Sequence, residues 1–174
     1  GFHLSEDGVR PSDKFLQAVR DFPEPRDITG ARSWFGLIQQ VNYSYSDFAP
    51  MAPLRHLLKP GSRYEWTPEL STAFQDSKIK IVEAVKHGVQ TFDPKRPTCL
   101  GSDWSKTGLG FALMQKACSC KELTPLCCRE GWVLTYAGSR FTTPAESRYH
   151  PIEGEALALA WGLHKTRHFT LGCK

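Results

Sequence analysis

The sequence predicts an α+β protein: a helical first section, then a three-stranded antiparallel sheet with helices packed on it. Three observations carry this. Up to residue 85 the apolar residues recur at helical spacing between proline-rich turns, from 98 to 141 they alternate as strands do, and from 151 to 169 the helical spacing returns. Strands that follow one another in series favour a meander over a helix-crossed parallel sheet. A chain of 174 residues can bury a real core, and 40% hydrophobic with 23% charged residues is the balance of a globular protein rather than a disordered tail.

Residues 12–22 place Phe15, Ala18, Val19 and Phe22 on one stripe with Ser12 as N-cap, and Pro23 and Pro25 end that helix. Thr29 opens a second helix carrying Trp34, Phe35, Leu37, Ile38 and Val41. A third is expected over 52–58, started by Pro53 and stopped by Pro60-Gly61. After a break at 59–62, Thr67-Pro68-Glu69 supplies an N-cap, a proline at the first helical position and an acid in the positive first turn. The helix over 68–85 should therefore bury Leu70, Phe74, Ile81 and Val85. Turn residues at 92–97 lead into strands over 98–104, 109–116 and 132–141. The last helix carries Ile152, Ala156, Leu159 and Leu163 along one stripe, the face expected against the sheet.

No apolar run reaches the roughly 18 residues of a membrane-spanning helix, and residues 1–10 lack the order of a signal peptide, so an intracellular chain, cytoplasmic or nuclear and without a membrane partner, is expected. The net charge is +4. Basic and acidic residues balance up to residue 66, with eight of each, whereas 14 basic against 10 acidic lie from 67 onward. This bias is compatible with a polyanionic partner without demanding one.

Asp103 is the residue that fits its strand least. On a two-residue period it shares a face with Cys99, Gly101 and Ser105, while Gly110 and Ala112 keep the neighbouring strand slim beside it. Room next to a carboxylate suits a bulky or hydrated cation, although an aspartate near a strand end also serves as a turn hydrogen-bonder. Glu153 and Glu155 flank the apolar stripe of the last helix on opposite sides, so either could lean over the sheet. Carboxylates brought together from a strand and a helix repel unless a divalent cation such as magnesium or manganese neutralises them. Two such ions about 4 Å apart would hold the attacking water and the leaving oxygen of a phosphodiester.

The segments LSEDGVRPSDKFLQAV, SWFGL, MAPLRHLL, YEWTPELSTAF, TCLGSDWSKTGLGFALMQ, AGSRF and YHPIEGEALALA resemble, in this order, the pol polyprotein of gypsy-like long-terminal-repeat retroelements. The resemblance implies the end of the reverse transcriptase palm and the helical thumb over 1–60. Over 67–174 it implies the N-terminal part of a ribonuclease H-like (RNase H-like) domain, a partial fold whose C-terminal strands are missing. Asp103, in SDWS where the family shows Asp-Ala-Ser, matches the first metal-binding acid; Glu155 matches the helix glutamate of the family's Lys-Glu-x-Leu-Ala pattern, leaving Glu153 as a solvent-facing or capping acid. Ser139 and Arg140 match a Ser-Arg pair suited to a phosphate. The implied activity is metal-dependent hydrolysis of RNA in RNA–DNA hybrids, with a primer–template duplex and the rest of the pol polyprotein as partners.

Two departures accompany the resemblance. The family's Tyr-Tyr-Arg-Arg-Phe cluster is replaced around Gln40 to Ser44, and the sequence stops before the strand bearing the next acid. The first strand is therefore expected to be an uncovered edge and the 174-residue chain alone a poor nuclease. The alternative reading is a non-catalytic remnant that binds nucleic acid or protein. Cys118, Cys120, Cys127 and Cys128 cluster, but Cys-x-Cys and adjacent cysteines depart from the usual Cys-x₂₋₄-Cys zinc spacing, so zinc is not expected there and free thiols are. Tyr149 is assigned to packing, and His164 and His168, four apart on one helix, have no third ligand.

Overall fold

In the computed structural model, residues 1–45, 47, 49–122, 127, 128 and 131–171 are described; Gly172 to Lys174, the end of the RNase H-like region read from sequence, lie outside them. Strands β1 (Phe2–Leu4) and β2 (Gly8–Pro11) pair antiparallel. Helix α1 (Asp13–Arg20) starts where Ser12 accepts from the Phe15 N–H at 3.2 Å. Helix α2 (Ile28–Gln39) starts earlier than expected, because Asp27 rather than Thr29 caps it, accepting from the Gly30 N–H at 2.6 Å. The third expected helix is a 3₁₀ run, Ala49–Leu58, that holds Pro53 inside it. A proline has no N–H to donate, and α-helical continuity is lost there.

Helix α3 (Pro68–Val85) is capped by Thr67 as read from sequence. Three residues past its end comes Gly88, whose φ of +67° turns the chain back; a side chain there would meet Val9 O at 2.1 Å. The turn delivers β3 (Val89–Gln90) onto β2, completing a small three-stranded sheet. The main core draws on both sides of the break at 59–62. Phe15, Val19, Trp34, Ile38, Met51, Leu54 and Leu57 pack with Phe74, Ile81 and Val85 of α3, and the Trp34 and Phe74 rings stand 4.9 Å apart edge to face. Phe74→Ala is accordingly expected to cost about 3–5 kcal/mol. Urea unfolding followed by circular dichroism and by tryptophan fluorescence should move together; a shift confined to one probe would show that α3 and the first section do not share a core.

The second sheet has the order β4-β5-β6, from β4 (Thr98–Trp104), β5 (Gly108–Lys116) and β6 (Trp132–Phe141), all antiparallel. Asp103 lies opposite Gly110 and Gly101 opposite Ala112, as the alternation requires. Helix α4 (Pro151–Thr170) covers the face that carries Leu100, Trp104 and Phe111. Its expected buried stripe is corrected: Ile152, Leu159 and Leu163 are 74%, 44% and 49% exposed, and the helix buries Gly154, Ala158, Gly162 and Thr166 instead. Small residues every fourth position let the helix axis approach the sheet. A side chain on Gly154 would reach within 2.1 Å of Trp104 Cδ2, and one on Gly162 within 3.1 Å of Phe111 Cβ.

The first section covers the other face. Asn42 Oδ1 accepts from the Ser139 N–H at 3.2 Å and Asn42 Nδ2 donates back to Ser139 O at 3.3 Å. Arg55 donates to the carbonyls of Thr107 and Thr142 and stacks 4.9 Å over the Phe141 ring. Among the described residues no helix is long and apolar enough to cross a membrane.

Candidate functional site

Asp103 sits one residue from the end of β4, exposed, on the face turned away from α4. The turn that follows is closed by Ser105. Its hydroxyl accepts from the N–H groups of Thr107 at 3.3 Å and Gly108 at 3.1 Å, and its N–H donates to Gly108 O at 2.7 Å. The turn thus leaves the Asp103 carboxylate unspent, and an open cavity of about 440 Å³ lies over it, lined by Gly101, Gly110, Ala112 and Asp47. The absence of side chains at 101 and 110 makes that room.

Asp47 was not legible as a site residue. It lies beside Asp103 just ahead of the 3₁₀ run Ala49–Leu58, and one of its oxygens accepts from the Ala49 N–H at 2.7 Å. No spacing in the sequence links the two positions, because the contact depends on how the first section docks.

Glu155 lies exposed just past the first turn of α4. Its neighbour Gly154 rests on the Trp104 ring, and Trp104 follows Asp103 in β4. The backbones that carry the two acids are therefore each one residue from a van der Waals contact. Trp161 leans toward β6, with Arg140 5.4 Å from its ring, and Glu155 is about 120° around the helix from Trp161. On a regular helix that places Glu155 on the flank away from Trp161, while Glu153 closes a capping box by accepting from the His150 N–H at 2.9 Å.

Ser139 and Arg140, expected at a phosphate, have other partners. Ser139 is 3% exposed, and its hydroxyl donates to Tyr45 O at 3.1 Å. The Arg140 guanidinium makes a two-pronged pair with Glu146, both contacts at 2.8 Å. Hydrogen bonding from Arg140 outweighs burial and, with the Thr143 N–H, holds the Glu146 carboxyl down at about 2. Because this folded value lies below the ordinary 4.5, the pair stabilises the fold above that pH and its contribution fades as pH falls from there through about 2. Glu146→Gln should cost about 2 kcal/mol at neutral pH. Measured by urea unfolding, the gap to the unaltered protein should close between those two pH values; a pH-independent gap would assign the loss to packing instead.

Beyond the far end of this sheet, Cys118, Cys120, Cys127 and Cys128 form no disulfide, and their sulfurs all lie within 4.8 Å of one another. That convergence is not what their spacing suggested. Burial pushes the Cys118 thiol up, yet hydrogen bonds from the Cys120 backbone and from its neighbouring thiols bring it down to about 7. Cys128 is pushed up to about 12, chiefly through its hydrogen bond to Cys118.

A family described as an RNase H-like domain found in reverse transcriptase matches residues 66–174. The chain is 26% identical over 185 residues to the retrovirus-related Pol polyprotein from transposon gypsy of Drosophila melanogaster, covering all of the chain and 16% of that polyprotein. It is 27% identical over 176 residues to the transposon Tf2-3 polyprotein of Schizosaccharomyces pombe, covering 97% of the chain and 12% of the polyprotein. Among solved structures, the foamy viral protease-reverse transcriptase in complex with RNA/DNA hybrid matches 99% of the chain and 22% of its own, with a TM-score of 0.75 at 17% identity. The same enzyme in complex with double-stranded DNA gives 0.74 at 18% identity, over 99% of the chain and 34% of that one.

Proposed function

The chain belongs to the family of RNase H-like domains found in reverse transcriptases, and on that premise we propose that it serves, within a retroelement polyprotein, in metal-dependent hydrolysis of the RNA strand of RNA–DNA hybrids. The observation that carries this reading is the Asp103 carboxylate, which the adjoining turn does not use and which faces a cavity at the end of an edge strand. The oxygen donors suit a hard divalent cation: Asp103 from β4 would hold it, with Glu155 of α4 reaching around the β4 edge, since the cavity over Asp103 is lined by Asp47 and not by Glu155. When bound, magnesium would supply charge neutralisation at the scissile phosphate and a more acidic water.

The chain's own contribution is positional. Gly101, Gly110 and Ala112 hold side-chain bulk away from Asp103, so a nucleic-acid backbone can come close. The contact of Gly154 with Trp104 fixes the start of α4 against β4 and so sets how far Glu155 must reach. A hybrid would be recognised by backbone shape and 2′-hydroxyls rather than by base sequence. Neither Ser139 nor Arg140 is assigned a phosphate contact here, since both already bond within the fold.

The test is cleavage of a labelled RNA–DNA hybrid by the polyprotein that contains this chain, with magnesium, with manganese and with a chelator. Cleavage of the RNA strand only in the hybrid, and only with metal, is expected. Tight hybrid binding with no cleavage under any of these conditions would assign the chain to the non-catalytic alternative.

A further inference from the structure

The hairpin joining β5 to β6 carries a group of side chains that hybrid hydrolysis does not use. Cys118 and Cys120 leave β5, Cys127 and Cys128 precede the return at Gly131, and their four sulfurs lie within 4.8 Å of one another. Cys118 and Cys127 sulfurs are 3.4 Å apart, and those of Cys127 and Cys128 3.9 Å. A disulfide needs about 2.05 Å, so these are not bonds. A zinc ion with Zn–S bonds of about 2.3 Å holds its tetrahedral sulfurs about 3.8 Å apart, which lies between the two separations. We propose that these four cysteines form a structural zinc site of the Cys₄ type, stapling the β5–β6 hairpin beyond the edge of the sheet.

Hydrophobic packing does not explain the convergence, because Cys120 and Cys128 are exposed. The surrounding backbone is arranged for it. The Gly131 N–H donates to Cys128 O at 3.2 Å, and Gly131 O accepts from the N–H groups of Ala117 at 2.8 Å and Cys118 at 3.4 Å, which closes the hairpin neck. Three thiols gather on the bare Cα of Gly131. A Cβ there would stand 2.5 Å from the Cys128 sulfur, 2.9 Å from Cys118 and 3.0 Å from Cys127. Lys116, only 7% exposed, donates from its ammonium to the carbonyls of Cys120 and Glu122. Four thiolates around a divalent ion carry a net charge of −2, and a buried ammonium on the same loop offsets part of it.

A Cys-x-Cys pair and two adjacent cysteines can share an ion when the backbone folds them together, as it does here. The chain bends at Cys118, just past the end of β5, and the Cys118 and Cys120 sulfurs gather on the same side of the hairpin neck. Gly131 then lets the returning strand come close enough for Cys127 and Cys128 to complete the set. This site is independent of Asp103 and Glu155, and its test does not involve cleavage.

The 174-residue chain, purified under reducing conditions without chelator, should contain one zinc per molecule by plasma mass spectrometry. Cobalt(II) in place of zinc should give the strong visible bands of tetrahedral thiolate coordination. Cys120→Ser combined with Cys127→Ser should lower bound zinc at least tenfold. Gly131→Ala, which keeps every thiol but wedges a methyl among the sulfurs, should speed loss of zinc to a chelator at least tenfold while the unfolding of the helical core stays unchanged. An unaltered chain that holds no zinc and gives only the weak spectrum of octahedral cobalt would overturn the assignment. So would iron in place of zinc, or full zinc retention in the double variant.

Discussion

Gly154→Ala is expected to lower the melting temperature by roughly 4–8 °C, and the same change in a Trp104→Ala background to raise it slightly. The added methyl would sit 2.1 Å from Trp104 Cδ2, 2.4 Å from Cε2 and 2.6 Å from Cε3, against the body of a ring wedged between α4 and β4. Such overpacking costs about 3 kcal/mol at the upper end, from which about 1 kcal/mol is returned because alanine is the better helix former. The net loss is about 2 kcal/mol. Without the indole the steric part vanishes and only the helix-propensity gain remains, so the effect changes sign. Trp104→Ala opens a cavity, but it also removes a buried indole N–H that has no partner among the described residues. The double-mutant cycle should therefore show a coupling of about 3 kcal/mol. Additive effects would mean that α4 can slide off Trp104 freely, and the argument that this contact sets the reach of Glu155 would fall. The resemblance gives the pair a meaning: where the family pattern has alanine after the strand aspartate and lysine before the helix glutamate, this chain has tryptophan and glycine, a large residue and a missing one that fill the same space.

What could be read from the sequence divides along physical lines. Strand alternation is local, and it put the small residues Gly110 and Ala112 on the Asp103 side of the neighbouring strand, where they pair with Asp103 and Gly101. Caps are local too, and Ser12 and Thr67 act as read. The buried face of α4 misled because helical periodicity was read by hydrophobicity, and this interface is chosen by size: glycine and alanine bury little apolar area but allow close approach. Ile152, Leu159 and Leu163 make the stronger pattern and stay exposed. Features that depend on tertiary docking carried no signal. Asp47 reaches the Asp103 cavity only because Asn42 and Arg55 fix the first section on the sheet, and β3 meets β2 only because Gly88 turns the chain after α3. Ser139 and Arg140 show the converse. Their types suit a phosphate, yet Asn42, Tyr45 and Glu146 are already in place to use their donors.

On the proposed function, Asp103→Asn and Glu155→Gln should each reduce hybrid cleavage by the intact polyprotein about 100-fold or more, because a carboxylate lost from the proposed metal site would forfeit about 3 kcal/mol of transition-state charge stabilisation. Both substitutions keep side-chain size, and both positions are exposed, so the melting temperature should not move. Asp47→Asn separates the carboxylates near the cavity. Its oxygen caps the Ala49 N–H, a bond the asparagine amide oxygen can still accept, so cleavage should stay within about threefold of the unaltered enzyme. The metal dependence supplies the decisive reading. If Asp103 and Glu155 share an ion, either substitution raises the magnesium concentration needed for half-maximal cleavage, and the double variant loses little beyond the worse single one, since residues that act as a unit are not additive. Should Asp47→Asn prove as damaging as Asp103→Asn while Glu155→Gln keeps full activity, the ion belongs to the two aspartates of the cavity. The helix glutamate would then have no part in catalysis.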